Sequence, residues 1–170
     1  MSAFARGGVR VRTATVADLD AVAPLFDAYR AFYGRASDPD AALAFLRARA
    51  ERGEAVVLVA EPECAGVVGF AQLYPTFSSL SLSRVVVLND LFVAPAARGR
   101  GVAGQLVDAA AAHARRWGAA RLELATRRTN GRALALYAAK GFRPDEEFVH
   151  LSVALDDVVA GAAPGTERAC

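Results

Sequence analysis

A strongly apolar run at 83–93 passes through a proline turn and a glycine-rich loop into an alanine-rich stretch. The run, SRVVVLNDLFV, is rich in β-branched residues and ends at a turn, which predicts a strand. The stretch over 101–117 repeats its apolar residues on one stripe, which predicts a helix. The loop ARGRGVAG, at 97–104, therefore lies where a strand ends and a helix begins. Because the first turn of a helix leaves backbone N–H groups unpaired and favours an anion, this order predicts a helix packed on a sheet with a candidate phosphate site between them.

Five further strands and three further helices are predicted around this unit. The strands are expected over 9–15, 55–61, 65–79, 120–126 and 147–155, and the helices over 15–34, 37–53 and 130–141. Thr15 and Asn130 are suitable N-caps, and Gly53 is a suitable terminal glycine. This order predicts one α/β or α+β domain around a mixed sheet, over residues 1–155. Residues 156–170 contain little to bury and are expected to form a frayed tail.

Composition narrows the range of partners. No stretch reaches the roughly 18 apolar residues needed to cross a membrane, and the N-terminus lacks the apolar core of an export signal. Cys64 and Cys170 are too few for a disulfide framework and show no metal-ligand spacing. We therefore expect a cytoplasmic protein with no metal and no nucleic-acid or membrane partner. The net charge is only +2, but the segment 98–132 has eight arginines against two acidic residues, which indicates a local anionic partner.

The glycine loop fits two familiar phosphate-binding patterns poorly. It lacks the Gly-Lys-Ser/Thr of nucleotide-hydrolysing loops. A Gly-x-Gly-x-x-Gly register is present at Gly99, Gly101 and Gly104, but a dinucleotide site needs an acid at the end of the second strand, and Glu123 lies within its strand. A solvated surface loop, with arginines that reflect a coding bias, remains an alternative for this stretch taken alone.

Two separated motifs resemble the GNAT superfamily of N-acetyltransferases. The first comprises an apolar strand, a Val-x-Pro turn and the pattern Arg-x-x-Gly-x-Ala, at Leu91, Phe92, Val93, Pro95, Arg98, Gly101 and Ala103. The second has the pattern Asn-x-x-Ala-x-x-Leu-Tyr-x-x-x-Gly-Phe, at Asn130, Ala133, Leu136, Tyr137, Gly141 and Phe142. The resemblance covers about residues 9–155.

Within that superfamily the chain is most similar to the spermidine/spermine and thialysine N-acetyltransferases. The shared stretches are ATVADLDAV at 14–22, VVGFAQLYPTFSS at 67–79 and NDLFV at 89–93. Asn89 stands where those enzymes often carry a glutamate, which is their proposed base. That departure puts a direct transfer of the base to this chain in doubt.

The resemblance implies a fold, a cofactor and a cofactor site. The fold is a single GNAT-type α/β (α+β) domain with a mixed, largely antiparallel sheet, flanked by helices and splayed open at the cofactor strand. The cofactor is acetyl-CoA, used as co-substrate without a metal. Its pantetheine arm would pair with the strand edge at Leu91, Phe92 and Val93, and Asn130 resembles a position that reaches the arm. The pyrophosphate would lie on the loop, formed by Arg98, Gly99, Arg100, Gly101, Val102, Ala103 and Gly104. Asn130 is equally suited to a plain helix cap.

The implied reaction is direct attack of an amine on the thioester. Tyr137 is the best donor of a proton to the departing thiolate. Asp90 would take a proton from the ammonium or hold it. Without the resemblance, Tyr137 is better interpreted as a core aromatic residue, and Asp90 is equally suited to pairing with an arginine or a backbone group.

The resemblance implies an acceptor groove at Asp27, Tyr29, Tyr33 and Asn89 and along QLYPTFSS at 72–79, and aromatic and carboxylate groups suit a cation. Simple packing of Tyr29 and Tyr33 on their helix is an equal alternative. The leading hypothesis is an acetyl-CoA-dependent N-acetyltransferase for a primary amine of a small molecule, such as a polyamine or thialysine. A protein or peptide lysine or N-terminal acetyltransferase, and a non-catalytic acyl-CoA-binding regulatory module, remain open. A homodimer is expected, with the strand 147–155 joining a sheet across subunits.

Overall fold

The computed structural model describes residues 8–63 and 65–153, which form a five-stranded sheet and four α-helices. The strands are β1 (Val9–Thr13), β2 (Val56–Pro62), β3 (Gly69–Ser78), β4 (Ser83–Val93) and β5 (Ala119–Leu124). The helices are α1 (Leu19–Phe32), α2 (Pro39–Glu51), α3 (Val102–Arg116) and α4 (Gly131–Ala139). The strands lie in chain order, with β1 to β4 antiparallel and β5 parallel to β4. The expected mixed, largely antiparallel sheet is therefore confirmed. Among the described residues, no helix is long and apolar enough to cross a membrane.

Helices cover both faces of the sheet, and each face has its own core. On one face α1 and α2 pack on side chains that alternate along the strands, including Val59, Phe70 and Phe92. On the other face α3 packs on the intervening side chains, including Leu73 and Leu88. This division follows from the period-two alternation of strand side chains, which gives a central sheet two apolar faces.

The predicted helix starts are present with their capping groups. Thr15 and Asp18 form a capping box at a short 3-10 turn, Val16–Asp18, that leads into α1. The Asp38 Oδ1 atom accepts a hydrogen bond from the Ala41 N–H at 3.0 Å, and Pro39 occupies the first position of α2. Asn130 caps α4 in the same way. Side-chain caps satisfy N–H groups that a helix leaves unpaired, so these boundaries follow from local chemistry.

The last predicted strand, over 147–155, is wrong for the residues that the structure describes. Residues 147–153 form no strand, and their apolar side chains face solvent, with Phe148 55% exposed and Leu151 90% exposed. Alternation predicts a strand only where a neighbouring strand and a core receive it, and here neither is in contact with the segment. The expected frayed tail at 156–170 lies outside the described residues.

Candidate active site

A β-bulge in β4 determines the geometry of the site. Gln72 of β3 pairs with Asp90, and the next residue of β3, Leu73, pairs with Leu88. Asn89 is therefore the extra residue of β4. Leu88 and Leu91 both face the α3 side of the sheet, whereas Asp90 and Phe92 share the opposite side. A bulge of this kind re-aims the side chains that follow it and bends the strand.

The sheet opens beyond the bulge. Pairing between β4 and β5 stops at Leu88 and Leu124, so the last five residues of β4 have no partner in β5. The Ala94 N–H donates to the Val68 carbonyl at 2.8 Å, which shows that even-numbered backbone groups here face β3. Because backbone groups alternate along a strand, those of Leu91 and Val93 face the gap. The splay that the resemblance implies at this strand is therefore present, and its use by the cofactor stays a prediction.

A helix N-terminus lies at the end of this open edge. Helix α3 begins at Val102, and its N-cap residue, Gly101, has no side chain with which to cap it. Gly99 and Gly101 have left-handed backbone, with φ of 73° and 78°, which turns the chain into the helix. A Cβ at Gly101 would meet nothing within 4 Å, so the positive φ, and no neighbouring protein atom, requires glycine there. The uncapped N–H groups and the helix dipole fit an anionic group such as a pyrophosphate.

The Arg98 side chain contacts the end of β4. Its Nε atom donates to the Val93 carbonyl at 2.9 Å, and its guanidinium lies 5.3 Å from the centroid of the Phe92 ring. The side chain therefore folds back on the end of β4 and closes it. The place of Arg98 in the anion loop stays a prediction.

Four of the predicted site residues meet at the gap. Tyr29 of α1 and Tyr33, the residue that follows α1, lie with ring centroids 5.0 Å apart, and Tyr29 has a hydrogen-bonding interaction with the carboxylate of Asp90. Tyr137 lies on the other side of the sheet. Tyr33 is close enough to it to contribute to the raised pKa of Tyr137. The opening between β4 and β5 is what allows side chains from α1 and α4 to approach one another.

Burial is the main cause of the raised pKa values of Asp90 and Tyr137. Asp90 is 6% exposed, and its burial raises its pKa above the ordinary carboxyl value, although hydrogen bonds from Asn89 and Tyr29 act in the opposite direction. Burial, with a smaller contribution from Tyr33, raises the pKa of Tyr137 to about 12. Tyr137 therefore keeps its proton at neutral pH, and Asp90 is a stronger base than an exposed carboxylate.

Asp27 is engaged in a structural contact that the sequence did not indicate. One of its oxygens accepts from the Ser37 hydroxyl at 2.5 Å, and the other accepts from the Asp38 N–H at 2.8 Å and from Arg30 at 3.3 Å. These hydrogen bonds lower the pKa of Asp27. Both carboxylate oxygens thus help to join α1 to the start of α2, and a contact of Asp27 with an acceptor stays a prediction.

Two residues at the site had no individual role predicted from the sequence, although Gln72 begins the predicted groove segment at 72–79. Arg127, in the loop before α4, lies with its guanidinium 4.6 Å from the Tyr33 ring centroid and donates to the Tyr33 carbonyl at 3.2 Å. Gln72 lies fully buried in β3, and its Nε2 atom donates to the Tyr74 hydroxyl at 2.6 Å. Arginine is so frequent in this chain that its identity carried no signal, and Gln72 is recognisable only as a polar residue within an apolar strand.

Comparison with known proteins identifies the family. The profile described as the acetyltransferase (GNAT) family matches residues 20–142. The chain belongs to the GNAT family of acetyltransferases. It is 49% identical over 142 residues to the uncharacterized N-acetyltransferase YhfO of Bacillus subtilis (strain 168), which covers 84% of this chain and 95% of YhfO. The chain is therefore an acyltransferase with a single GNAT domain.

Solved structures agree with this assignment. A crystal structure of a probable acetyltransferase is 42% identical, covers 87% of this chain and 99% of its own, and superposes with a TM-score of 0.83. An aminoglycoside acetyltransferase from an uncultured soil metagenomic sample superposes with a TM-score of 0.73 at 20% identity, covering 87% of this chain and 97% of its own. The second likeness shows the fold alone.

Proposed function

We propose that this GNAT acetyltransferase transfers an acetyl group from acetyl-CoA to a primary amine of a small molecule, by direct attack within a ternary complex. The observation that carries the proposal is the buried carboxylate of Asp90 beside Tyr29, whose ring centroid lies 5.0 Å from that of Tyr33, on the part of β4 that has no partner in β5. A carboxylate among aromatic rings suits an ammonium group. A polyamine, thialysine or a similar amine is the proposed class of acceptor, in keeping with the resemblance to those acetyltransferases.

The open edge and the helix N-terminus fit acetyl-CoA. The backbone groups of Leu91 and the N–H of Val93 are suited to pair with the pantetheine arm, while the Val93 carbonyl is already bound by Arg98. The uncapped first turn of α3 is suited to hold the pyrophosphate. Bound acetyl-CoA supplies the thioester that the amine attacks, with release of the thiolate.

The chain's own residues would handle the protons. An alkylammonium is charged at neutral pH, so it must lose a proton before the nitrogen can attack. Asp90 is the proposed base, because burial raises its pKa and it lies beside the tyrosines. Tyr137 is the proposed acid for the departing thiolate, because with a pKa of about 12 it holds its proton at neutral pH.

An acceptor panel tests the proposal. Thiol release from acetyl-CoA is measured with polyamines, thialysine, amino-sugars and lysine-containing or free-N-terminal peptides. The proposal expects turnover with at least one small amine and much less with peptides. Turnover with peptides alone would indicate a protein acetyltransferase, and thiol release with none of the small amines would contradict the proposal.

A homodimer is a second proposal, supported by the exposed apolar side chains over 147–153. A second copy would cover them, since burial of apolar area is what drives association. Light scattering on the purified chain tests this, with Leu151→Ser expected to yield monomer. Leu80→Ser is the matched control, because Leu80 is also exposed (87%) but lies at the turn between β3 and β4. A monomeric wild-type chain would contradict the proposal.

A further inference from the structure

Gln72 leaves a buried polar atom without a partner. Its side chain is 0% exposed in the middle of β3, and its Nε2 atom donates to the Tyr74 hydroxyl at 2.6 Å. Among the described residues, its Oε1 atom has no hydrogen-bond partner. Burying a carbonyl without a donor costs stability, and nearly all buried polar side-chain atoms in proteins are satisfied. The bond to Tyr74 accounts for one end of the amide and leaves the carbonyl unexplained.

Asp90 is the residue of β4 that pairs with Gln72. Gln72 and Asp90 are paired residues of β3 and β4, so their side chains leave the sheet on the same face. Paired residues of an antiparallel ladder have Cβ atoms about 4.5–5.5 Å apart, which brings the two side-chain ends within reach of each other. When Asp90 is ionised, the Gln72 carbonyl and the Asp90 carboxylate are both acceptors, and no proton lies between them.

The other side chains around Asp90 leave Gln72 Oε1 as the acceptor for a proton on that carboxyl. Tyr29 faces it from α1, and Asn89 donates to it at 3.1 Å from its own strand. Tyr74 faces it from β3, and Tyr33 and Tyr137 complete the cluster. Asn89 and Tyr29 both favour the ionised carboxylate by donating to it. Gln72 Oε1 is the one buried acceptor in this cluster, within the described residues, that lacks a donor.

We propose that Gln72 is a positioning residue for the proton that Asp90 takes from the amine. This rests on the proposed function, in which the N–H bond of the ammonium breaks, its electron pair stays on nitrogen, and an O–H bond forms on Asp90. That O–H then donates to Gln72 Oε1, which gains the donor it lacks. No electron transfer or further reactant is required. The carbonyl thus stabilises the protonated carboxyl and holds the proton away from the attacking nitrogen.

Two substitutions test the carbonyl in opposite directions. Gln72→Met keeps the length of the side chain and removes the acceptor, so the protonated form of Asp90 loses its partner. Gln72→Glu keeps an acceptor and places a second carboxyl beside the first, and two carboxyls that share a site raise the apparent pKa of the pair. Tyr74→Phe is the matched control, because it removes the other partner of the amide and leaves the carbonyl.

The decisive readout is the titration of Asp90 itself, followed by NMR on protein with 13C-labelled aspartate carboxyls and assigned with Asp90→Asn. Gln72→Met is expected to lower the apparent pKa of Asp90 by about one unit or more, and Gln72→Glu to raise it. Tyr74→Phe is expected to move it much less. Unchanged backbone spectra establish that each variant is folded. An unchanged or raised pKa in Gln72→Met, or an equal shift in Tyr74→Phe, would overturn the inference.

Kinetics separate this inference from the proposed function. In the pH profile of kcat/KM for the amine, the acidic limb of Gln72→Met is expected to shift to lower pH, with a lower kcat and an unchanged KM for acetyl-CoA. If the wild-type chain acetylates no amine, the proposed function fails while the NMR titration still decides on Gln72. If the wild-type chain turns over and the acidic limb of Gln72→Met does not move, the inference fails and the function stands.

Discussion

At the scale of single residues, the site depends on one extra residue, Asn89. Because β4 contains this bulge, Asp90 turns toward α1 and meets Tyr29, while Leu91 stays on the α3 side. Without the bulge, strict alternation would place Asp90 on the same face as Leu88, within an apolar core. The amide of Asn89 donates to Asp90 at 3.1 Å and so supports the carboxylate. Asn89 itself is not the proposed base.

The left-handed backbone of Gly101 is open to a direct test. Gly101→Ala places a side chain at φ 78°, which costs roughly 1–2 kcal/mol and disturbs the start of α3. We expect a several-fold or greater rise in the KM for acetyl-CoA, measured by thiol release. Gly53→Ala is the control, since Gly53 is also left-handed, at φ 64°, but ends α2. Equal KM values in the two variants would show that the loop does not hold the cofactor.

The stacked contact between Arg127 and Tyr33 yields a second prediction. An exposed cation–π contact is worth about 0.5–1 kcal/mol, so Arg127→Ala should loosen Tyr33 and raise the KM for the amine a few-fold. The KM for acetyl-CoA should stay the same. The neighbouring Arg128→Ala is the control for the loss of charge alone. An equal rise in the KM for the amine in Arg128→Ala would show that the contact with Tyr33 is not the cause.

At the scale of secondary-structure elements, Arg12 joins three parts of the chain. From β1 it makes two hydrogen bonds to Asp18 at 2.7 Å and two to Glu61, at 2.6 and 3.0 Å. These contacts hold the start of α1 and the end of β2 against β1. They also lower the pKa of Asp18 well below its ordinary value. A carboxyl with a depressed folded-state pKa stabilises the fold above its unfolded pKa, near 3.8, and that contribution disappears as the pH falls further.

Replacing Arg12 should therefore destabilise the fold. Arg12→Ala is expected to lower the free energy of unfolding at pH 7 by about 1.5–3 kcal/mol, as for hydrogen bonds between charged groups. The difference from wild type should shrink as the pH is lowered below about 4. Arg10→Ala, on the same strand and exposed, should change stability by no more than about 0.5 kcal/mol. Denaturant unfolding at pH 7 and below about pH 4 measures the free energy of unfolding of each variant. Equal losses in Arg12→Ala and Arg10→Ala would contradict the prediction.

The elements also show where sequence reasoning succeeds and where it stops. The predicted strand at 83–93 is confirmed to the residue, because an apolar β-branched run between turn signals determines it locally. The bulge within that strand could not be predicted, since a single extra residue leaves the composition of the run unchanged. The strand predicted over 147–155 failed in its described part for a related reason, because pairing depends on a partner that alternation does not reveal. The contacts of Asp27 with Ser37 and Asp38 could not be predicted either, because they depend on how the start of α2 packs against α1.

At the scale of the whole molecule, the site lies where three layers meet. Helix α1 covers one face of the sheet, α3 and α4 lie toward the other, and the gap between β4 and β5 connects the two faces. Tyr137 packs with the α3 core and still contributes to the raised pKa of Tyr29 in α1. An acceptor from the α1 side and a cofactor along β4 would thus meet beside one tyrosine. The family fold provides this arrangement. We expect the choice of acceptor to depend on side chains of α1, β3 and the loop before α4.

The most direct test of acetyl transfer at this site compares wild type with Tyr137→Phe. Thiol release is measured with the best amine of the panel, and acetyl-CoA binding is measured by calorimetry on the same samples. Loss of a general acid typically costs a factor of about 10²–10⁴, so turnover should fall at least about a hundredfold while the Kd for acetyl-CoA stays within about twofold. Unchanged turnover in Tyr137→Phe, with acetyl-CoA bound as in the wild type, would contradict the assignment of Tyr137 as the acid.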